Sequence, residues 1–214
     1  MTNLIIFGPP GSGKGTISRN LSKINNISQI STGDLLRENV AKETEIGIKA
    51  KIYVDKGEYV PDQIATLLLE RTLPEYKAGF ILDGYPRTIQ QTHSLKTMLE
   101  KIQVQIDLVF NLNVSEAEII TRLSNRRVCN KCRSIYNLVS NPPKTNNTCD
   151  KCEGEIAQRA DDHPDVILNR LKVYSKNSKP VLDFYRTENK LVDIDGLGDV
   201  DTVASRVNDV MRKI

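Results

Sequence analysis

Short apolar, β-branched runs along this chain alternate with stretches whose apolar residues return every three or four positions. That alternation is the signature of a parallel sheet covered by helices on both faces. The runs place strands at Leu4–Phe7, Gln29–Ser31, Phe80–Leu82, Leu108–Leu112 and Leu191–Ile194. Between them, stripes such as Ile64, Leu67 and Leu68, or Val203, Val207, Val210 and Met211, have the spacing of helix faces turned to a core. There is no internal repeat and no low-complexity tract. The pattern breaks once, from Arg126 to Asp162, where Cys, Asn, Lys and Pro replace helical periodicity.

Composition narrows this picture only modestly. A chain of 214 residues can bury one substantial core and still carry small inserted lobes. Its 30 basic and 27 acidic residues leave a net charge of +3, with nothing resembling a nucleic-acid-binding arm or a membrane-surface helix. No apolar run approaches the ~20 residues a bilayer span needs, and Met1-Thr2-Asn3 leads directly into the first strand, so the expected location is cytoplasmic.

The first strand runs into Gly8-Pro9-Pro10-Gly11-Ser12-Gly13-Lys14-Gly15-Thr16, a glycine-rich turn followed by a helix beginning near Gly13. In that context the turn predicts a phosphate cradle: backbone N–H groups face inward, the helix amino end adds partial positive charge, and Lys14 supplies a point charge. Gly15 stands where the general pattern has Ser or Thr, with Thr16 one place later.

The break in periodicity contains Cys129-x-x-Cys132 and, sixteen residues on, Cys149-x-x-Cys152. Two such knuckles let four thiolates converge tetrahedrally on one Zn²⁺, a closed and therefore structural site. The metal would order a segment with too few apolar residues to fold alone. Two disulfides or four unrelated thiols are the plainer alternative, set aside because the cytosol keeps thiols reduced, and Fe²⁺ suits the same ligands. A zinc knuckle also raises a nucleic-acid-binding ATPase; the insert's single aromatic, Tyr136, and its interspersed charges provide no stacking platform or basic stripe.

Two further turns follow predicted strands. Ser31-Thr32-Gly33-Asp34 has Thr32 or Asp34 as a helix cap and Arg37 one turn inside, and Asp83-Gly84-Tyr85-Pro86-Arg87 is followed by Gln91. Both leave the carboxyl edge of the sheet, where open α/β folds bind ligands. Arg37 and Arg87 therefore converge with Lys14, while Arg122, Arg126, Arg127, Arg159 and Arg170 flank the insert. So many arginines around one phosphate turn form a clamp for several phosphates.

With these motifs in place, the chain resembles the adenylate kinases of the long-lid form with a zinc-binding lid, essentially over its full length. The resemblance rests on Gly8 to Thr16, on Thr32-Gly33-Asp34 with Arg37, on Gly57-Glu58-Tyr59-Val60-Pro61, on Asp83 to Arg87 with Gln91, and on Arg126-Arg127 and Arg159-Ala160-Asp161-Asp162 at the two ends of the lid. It makes Gly15 a family trait. It implies an α/β P-loop three-layer fold with a five-stranded parallel sheet, whose core is residues 1–31, 61–125 and 163–214. A small helical lobe at 32–60 would bind the nucleoside monophosphate (NMP) and a zinc lid would occupy 126–162, with hinges near 125–127 and 161–164.

The activity implied is reversible, Mg²⁺-dependent phosphoryl transfer from ATP to AMP giving two ADP, by a monomer. ATP would be bound by Gly11, Ser12, Gly13, Lys14, Gly15, Thr16, Arg122, Arg126, Ile135, Tyr136, Leu197 and Gly198. AMP would be held by Thr32, Gly33, Arg37, Glu58, Tyr59, Val60, Gly84, Tyr85, Pro86, Arg87, Gln91, Arg159 and Arg170. The expected catalytic set is Lys14, Arg87, Arg122, Arg126, Arg159 and Arg170. Cys129, Cys132, Cys149 and Cys152 would hold structural Zn²⁺, and Asp83 would reach Mg²⁺ through water, unless it only caps its strand. No general base is needed, because the acceptor phosphate is largely ionised at neutral pH; His93 and His163 are accordingly expected to be structural. A UMP or CMP kinase is the alternative acceptor reading, with the long lid against it, and the donor base stays open between ATP and GTP.

Overall fold

The computed structural model describes residues 2–76 and 79–212. In chain order its elements are β1 (Asn3–Phe7), α1 (Lys14–Asn25), β2 (Ser28–Ser31), α2 (Thr32–Ala41), α3 (Glu45–Lys56), α4 (Asp62–Thr72), β3 (Phe80–Asp83), α5 (Ile89–Lys101), β4 (Leu108–Asn113), α6 (Glu116–Ser124), β5 (Arg126–Cys129), β6 (Ile135–Asn137), β7 (Ile156–Ala157), α7 (Pro164–Thr187), β8 (Leu191–Asp195) and α8 (Val200–Met211). Each of the five core strands expected from the sequence is present to within a residue at either end.

Those five strands form one parallel sheet in the order β2-β3-β1-β4-β8. The first strand made is thus the central one. Successive side chains of a strand point to opposite faces, and β1 shows the result: Leu4 and Ile6 pack with α1 and α8 residues such as Ile17, Leu21, Val203 and Val207, while Ile5 and Phe7 pack into a cluster with Leu69, Leu95, Leu99 and Val181 on the other face. Burial on both faces explains why the strands are continuous apolar runs. Of the expected helical stripes, Ile64, Leu68, Val203 and Val207 join the core, but Leu67 is turned to solvent at 38 % exposure.

Helix starts are fixed by local chemistry. Side chains of Ser31, Thr44, Thr88, Ser115 and Asp199 accept hydrogen bonds from backbone N–H groups of the first turns of α2, α3, α5, α6 and α8. The cap of α2 is therefore Ser31, one residue before Thr32 and three before Asp34, the expected caps. Ser31 ends β2, so the strand passes into α2 without a loop.

The insert from Arg126 carries a small antiparallel sheet in the order β6-β5-β7. Its strands are two to four residues long, too short to register as periodicity. What packs between them is a cluster of Cys129, Tyr136, Cys149 and Ile156 with Cys152 against it. Two of its four buried residues are cysteines. α3 presses directly on α7: Asn169 Nδ2 donates to the Lys56 carbonyl at 2.7 Å, and a side chain at Gly57 would collide with Arg170 Cγ at 2.7 Å. Among the described residues no helix is long and apolar enough to cross a membrane.

Candidate active site

All five core strands point their carboxyl ends at one edge, and a cavity of about 570 Å³ opens there. Its floor is the turn between β1 and α1. Gly13 takes φ +96 as the residue before α1, a conformation that costs a β-carbon-bearing residue dearly. Gly15 is closely approached instead: a β-carbon there would stand 3.1 Å from Asp83 Oδ2, and the carboxylate would have to give way by a few tenths of an ångström. This close approach favours glycine where other phosphate loops have a hydroxyl-bearing residue. Ser12 Oγ is buried beneath the turn without a hydrogen-bond partner among the described residues, the kind of orphan a ligand oxygen satisfies.

Lys14 closes the turn, its Nζ donating to the carbonyls of Gly8 and Pro9 at 2.7 and 2.6 Å. Burial pushes its pKa down to about 7, with Asp83 pulling the other way and Arg87, Arg170 and Arg126 adding to the fall. Asp83 is itself pushed up by burial against the attraction of Lys14, and its Oδ2 accepts from Gln29 at 3.2 Å.

Arg37, Arg87, Arg122, Arg126, Arg159 and Arg170 all line the cavity, but their engagements differ. Arg126 is held fork-to-fork by Asp162 at 2.7 and 2.6 Å, and Arg170 contacts Asp162 at 3.0 Å and Asp161 at 3.1 Å. Arg37 pairs with Asp34 at 2.7 Å. Arg87 donates to the Gly84 carbonyl and lies over the Tyr59 ring, 5.1 Å from its centroid. Arg159 makes no ion pair among the described residues, and burial beside Arg37 and Arg126 pulls its pKa down to about 9. Asp161 is held below the usual carboxylate range by Arg170, Arg126, Arg37 and Arg159, against the opposing pull of burial. The site is a cationic cleft with three buried aspartates, Asp83, Asp161 and Asp162, in the anionic places.

Three expected site residues stand elsewhere. The Tyr85 side chain turns into the core at 1 % exposure, its hydroxyl 2.9 Å from Thr66 Oγ1, so only its backbone neighbours Gly84 and Pro86 line the cavity. Leu197 is exposed and absent from the lining; Gly196, Gly198, Asp199 and Val200 form that wall. Arg127 bonds back to the carbonyls of Ser124 and Arg126 and is no part of the clamp. Arg122 is a strut: braced by Glu118, it donates to the Ser12 carbonyl at 3.4 Å and the Gly196 carbonyl at 3.0 Å, tying the phosphate turn to the loop after β8.

The remaining expected positions, Gly11, Ser12, Gly13, Thr16, Thr32, Gly33, Glu58, Tyr59, Val60, Gln91, Ile135 and Tyr136, line the cavity with their neighbours. The Tyr136 hydroxyl lies 3.3 Å from Cys149 Sγ and accepts from the Asp150 N–H at 2.8 Å. His93 stands edge-on to Phe184, consistent with a packing role. Arg19, Asn137, Ser140 and Asn141 also line the cavity and were not anticipated, because a lone Arg on a helix or an Asn-rich loop carries no distinguishing sequence signal.

Each of Cys129, Cys132, Cys149 and Cys152 offers a sulfur, and all four sulfurs lie within 4.8 Å of one another. Four thiols with no carboxylate or imidazole among them suit a closed tetrahedral site for a metal such as zinc.

A model of the adenylate kinase family matches residues 6–190. The chain belongs to the adenylate kinase family. Curated relatives named adenylate kinase include those of Methanocella arvoryzae, 48 % identical over 212 residues and 98 % of each chain, Archaeoglobus fulgidus, 46 % identical over 99 % of each chain, and Staphylococcus epidermidis, 43 % identical over 98 % of each chain. These enzymes are phosphotransferases acting on nucleoside monophosphates, and the cleft of this adenylate kinase has the charge that such chemistry needs.

Removing Asp162 leaves Arg126 and Arg170 buried among like charges. Asp162→Ala is expected to lower unfolding free energy by about 3–5 kcal/mol, measured by urea denaturation of the nucleotide-free protein; an unchanged midpoint would refute the counter-ion role.

Proposed function

We propose that this adenylate kinase transfers the terminal phosphoryl group of ATP to AMP, reversibly and with Mg²⁺, giving two ADP and so balancing the adenine nucleotide pool. The observation that supports this most is the concentration of Lys14, Arg87, Arg126, Arg159 and Arg170 around one cavity at the sheet's carboxyl edge. Phosphoryl transfer gives a protein little covalent chemistry to do, so positioning and charge neutralisation are what this site has to supply.

In this reading the turn from Gly11 to Thr16 cradles the donor phosphates and Lys14 exchanges its two carbonyls for donor oxygens. Arg126 leaves Asp162 for the phosphoryl group in flight, Arg159 and Arg170 sit between donor and acceptor, and Arg87 and Arg37 hold the acceptor phosphate. Arg122 acts by keeping Ser12 and Gly196 at a fixed separation, so that phosphates and donor base are gripped in register. Tyr136, Ile135 and the Gly198 backbone flank the donor base; Thr32, Gly33, Glu58, Tyr59, Val60 and Gln91 enclose the acceptor nucleoside. Asp83, beside Gly15, would hold Mg²⁺ through water, and the ion would offset charge on the donor phosphates. The four cysteines hold Zn²⁺, which supplies folding free energy to the insert.

The lobes 32–60 and 126–162 close over the core to exclude water, because a phosphoryl group attacked by water is lost to hydrolysis. Their hinges lie near 125–127 and 161–164. No side chain is needed as general base.

A coupled assay of ADP formation, with ATP as donor and AMP, UMP, CMP or GMP as acceptor, tests the reaction. Turnover confined to AMP, with about one zinc per chain by metal analysis, is the expected result. Turnover on UMP or CMP instead would overturn the acceptor assignment, and none on any acceptor would overturn the reaction.

Chelation is expected to lower the melting temperature while leaving kcat intact wherever the insert stays folded; activity lost with the insert still folded would overturn the structural role of the metal. Binding of ATP at pH 8 is expected to take up about one proton, since the Lys14 amine is largely neutral before the phosphates arrive and charged after. Titration calorimetry in buffers of different ionisation enthalpy reads this uptake, and Lys14→Met should abolish it.

A further inference from the structure

Gln91 is 1 % exposed and its carboxamide is gripped from two sides. Oε1 accepts from the backbone N–H of Arg87 at 2.7 Å, and Nε2 donates to Asp62 Oδ1 at 2.7 Å. A backbone N–H can only donate and an ionised carboxylate can only accept. The amide therefore has one permitted orientation. Asp62 is fixed in turn: its Oδ2 accepts from Thr88 Oγ1 at 2.9 Å, and Thr88 Oγ1 accepts from the Gln91 N–H at 3.1 Å. Asp62 begins α4, Thr88 caps α5 and Arg87 ends the turn after β3, so three elements meet at this amide. Gln91 lines the cavity beside Val60, Gly84 and Arg87, whereas Asp62 stands behind it and does not reach the cavity.

After these two bonds the amide keeps one N–H and one oxygen lone pair, in a fixed order. Purine edges differ in that order. A 6-aminopurine presents an amino donor beside a ring-nitrogen acceptor, and a 6-oxopurine presents an oxo acceptor beside a ring N–H donor. An amide free to flip by half a turn would satisfy both. A locked amide satisfies one and leaves the other with two donors or two acceptors face to face, and buried unpaired polar groups are what give a site strong discrimination.

We propose that Asp62 is a positioning residue that sets acceptor choice: by locking the Gln91 amide it makes the cleft accept a 6-aminopurine monophosphate and reject a 6-oxopurine one. This rests on the reading above in which Gln91 faces the acceptor base. Asp62 touches no substrate and acts only through Gln91. Its carboxylate contributes the charge-assisted half of the lock, which is the stronger kind of hydrogen bond.

The test compares kcat/KM for AMP and for IMP, with ATP as donor, in the wild type and in Asp62→Ala, Asp62→Ser and Asp62→Asn. Ala and the short hydroxyl of Ser remove the acceptor facing Nε2, and the AMP/IMP ratio is expected to fall ~10-fold or more in both. Asn keeps an acceptor oxygen at the same reach and is expected to hold the ratio near the wild-type value. Using both Ala and Ser keeps the test open should either fail to fold, and AMP and IMP affinities measured by calorimetry without donor provide a second readout. A ratio unchanged in Ala and Ser, an equal loss on both acceptors, or an Asn variant as relaxed as Ala would each overturn the lock. Should the wild type fail to turn over AMP at all, the reading of the reaction falls instead, so the two failures are separable.

Discussion

Repulsion between like charges is the constraint on which this molecule turns. Lys14, Arg87, Arg126, Arg159 and Arg170 line one cavity, and such a gathering is tolerable only with anions among them. The fold provides Asp83 beneath Lys14 and the Asp161–Asp162 pair against Arg126 and Arg170. The consequence is visible in the protonation equilibria: burial and mutual repulsion pull Lys14 and Arg159 down, and the arginines hold Asp161 low. In the proposed reaction a nucleotide polyphosphate would relieve all of these at once. The aspartates would then be stand-ins for it, with a grip weak enough to release the arginines.

The rest of the architecture serves to bring those cations together. A parallel sheet delivers every loop after a strand to the same edge, so residues as distant as Lys14, Arg87 and Arg122 become neighbours. Helix caps then aim them. Ser31 turns β2 straight into α2, which presents Gly33 and Arg37 to the cavity, and Thr88 both starts α5 and braces Asp62 behind Gln91. The insert solves a different problem. With few large apolar residues in its interior, chiefly Val128, Tyr136 and Ile156, it packs Cys129 and Cys149 among them and gathers Cys132 and Cys152 beside these, an arrangement that would couple its folding to a soft metal.

Much of this was legible in the chain, and what was not has identifiable causes. The five strands were legible because strands buried on both faces must be apolar runs. The phosphate turn, the four-cysteine group and the arginine-bearing turns were legible because their chemistry needs fixed spacings. The strands of the insert were not, since segments two to four residues long show no period. Tyr85 and Leu197 sit inside motifs whose backbone lines the cavity while their side chains point to the core and to solvent; a motif reports a loop's course and not the direction of each side chain. The roles of Asp162, Arg122 and Asp62 depend on contacts across 36, 74 and 29 residues of sequence, and no local pattern encodes a partner so far away.

The central position of β1 carries a consequence for how the turn after it keeps its shape. β1 is hydrogen-bonded to β3 on one side and to β4 on the other, and Ser12 is tied through Arg122 to Gly196. The turn is therefore moored to segments drawn from the middle and the far part of the chain. Slackening any one of those moorings deforms it without altering a residue of its own, so the turn's geometry is a property of the whole sheet.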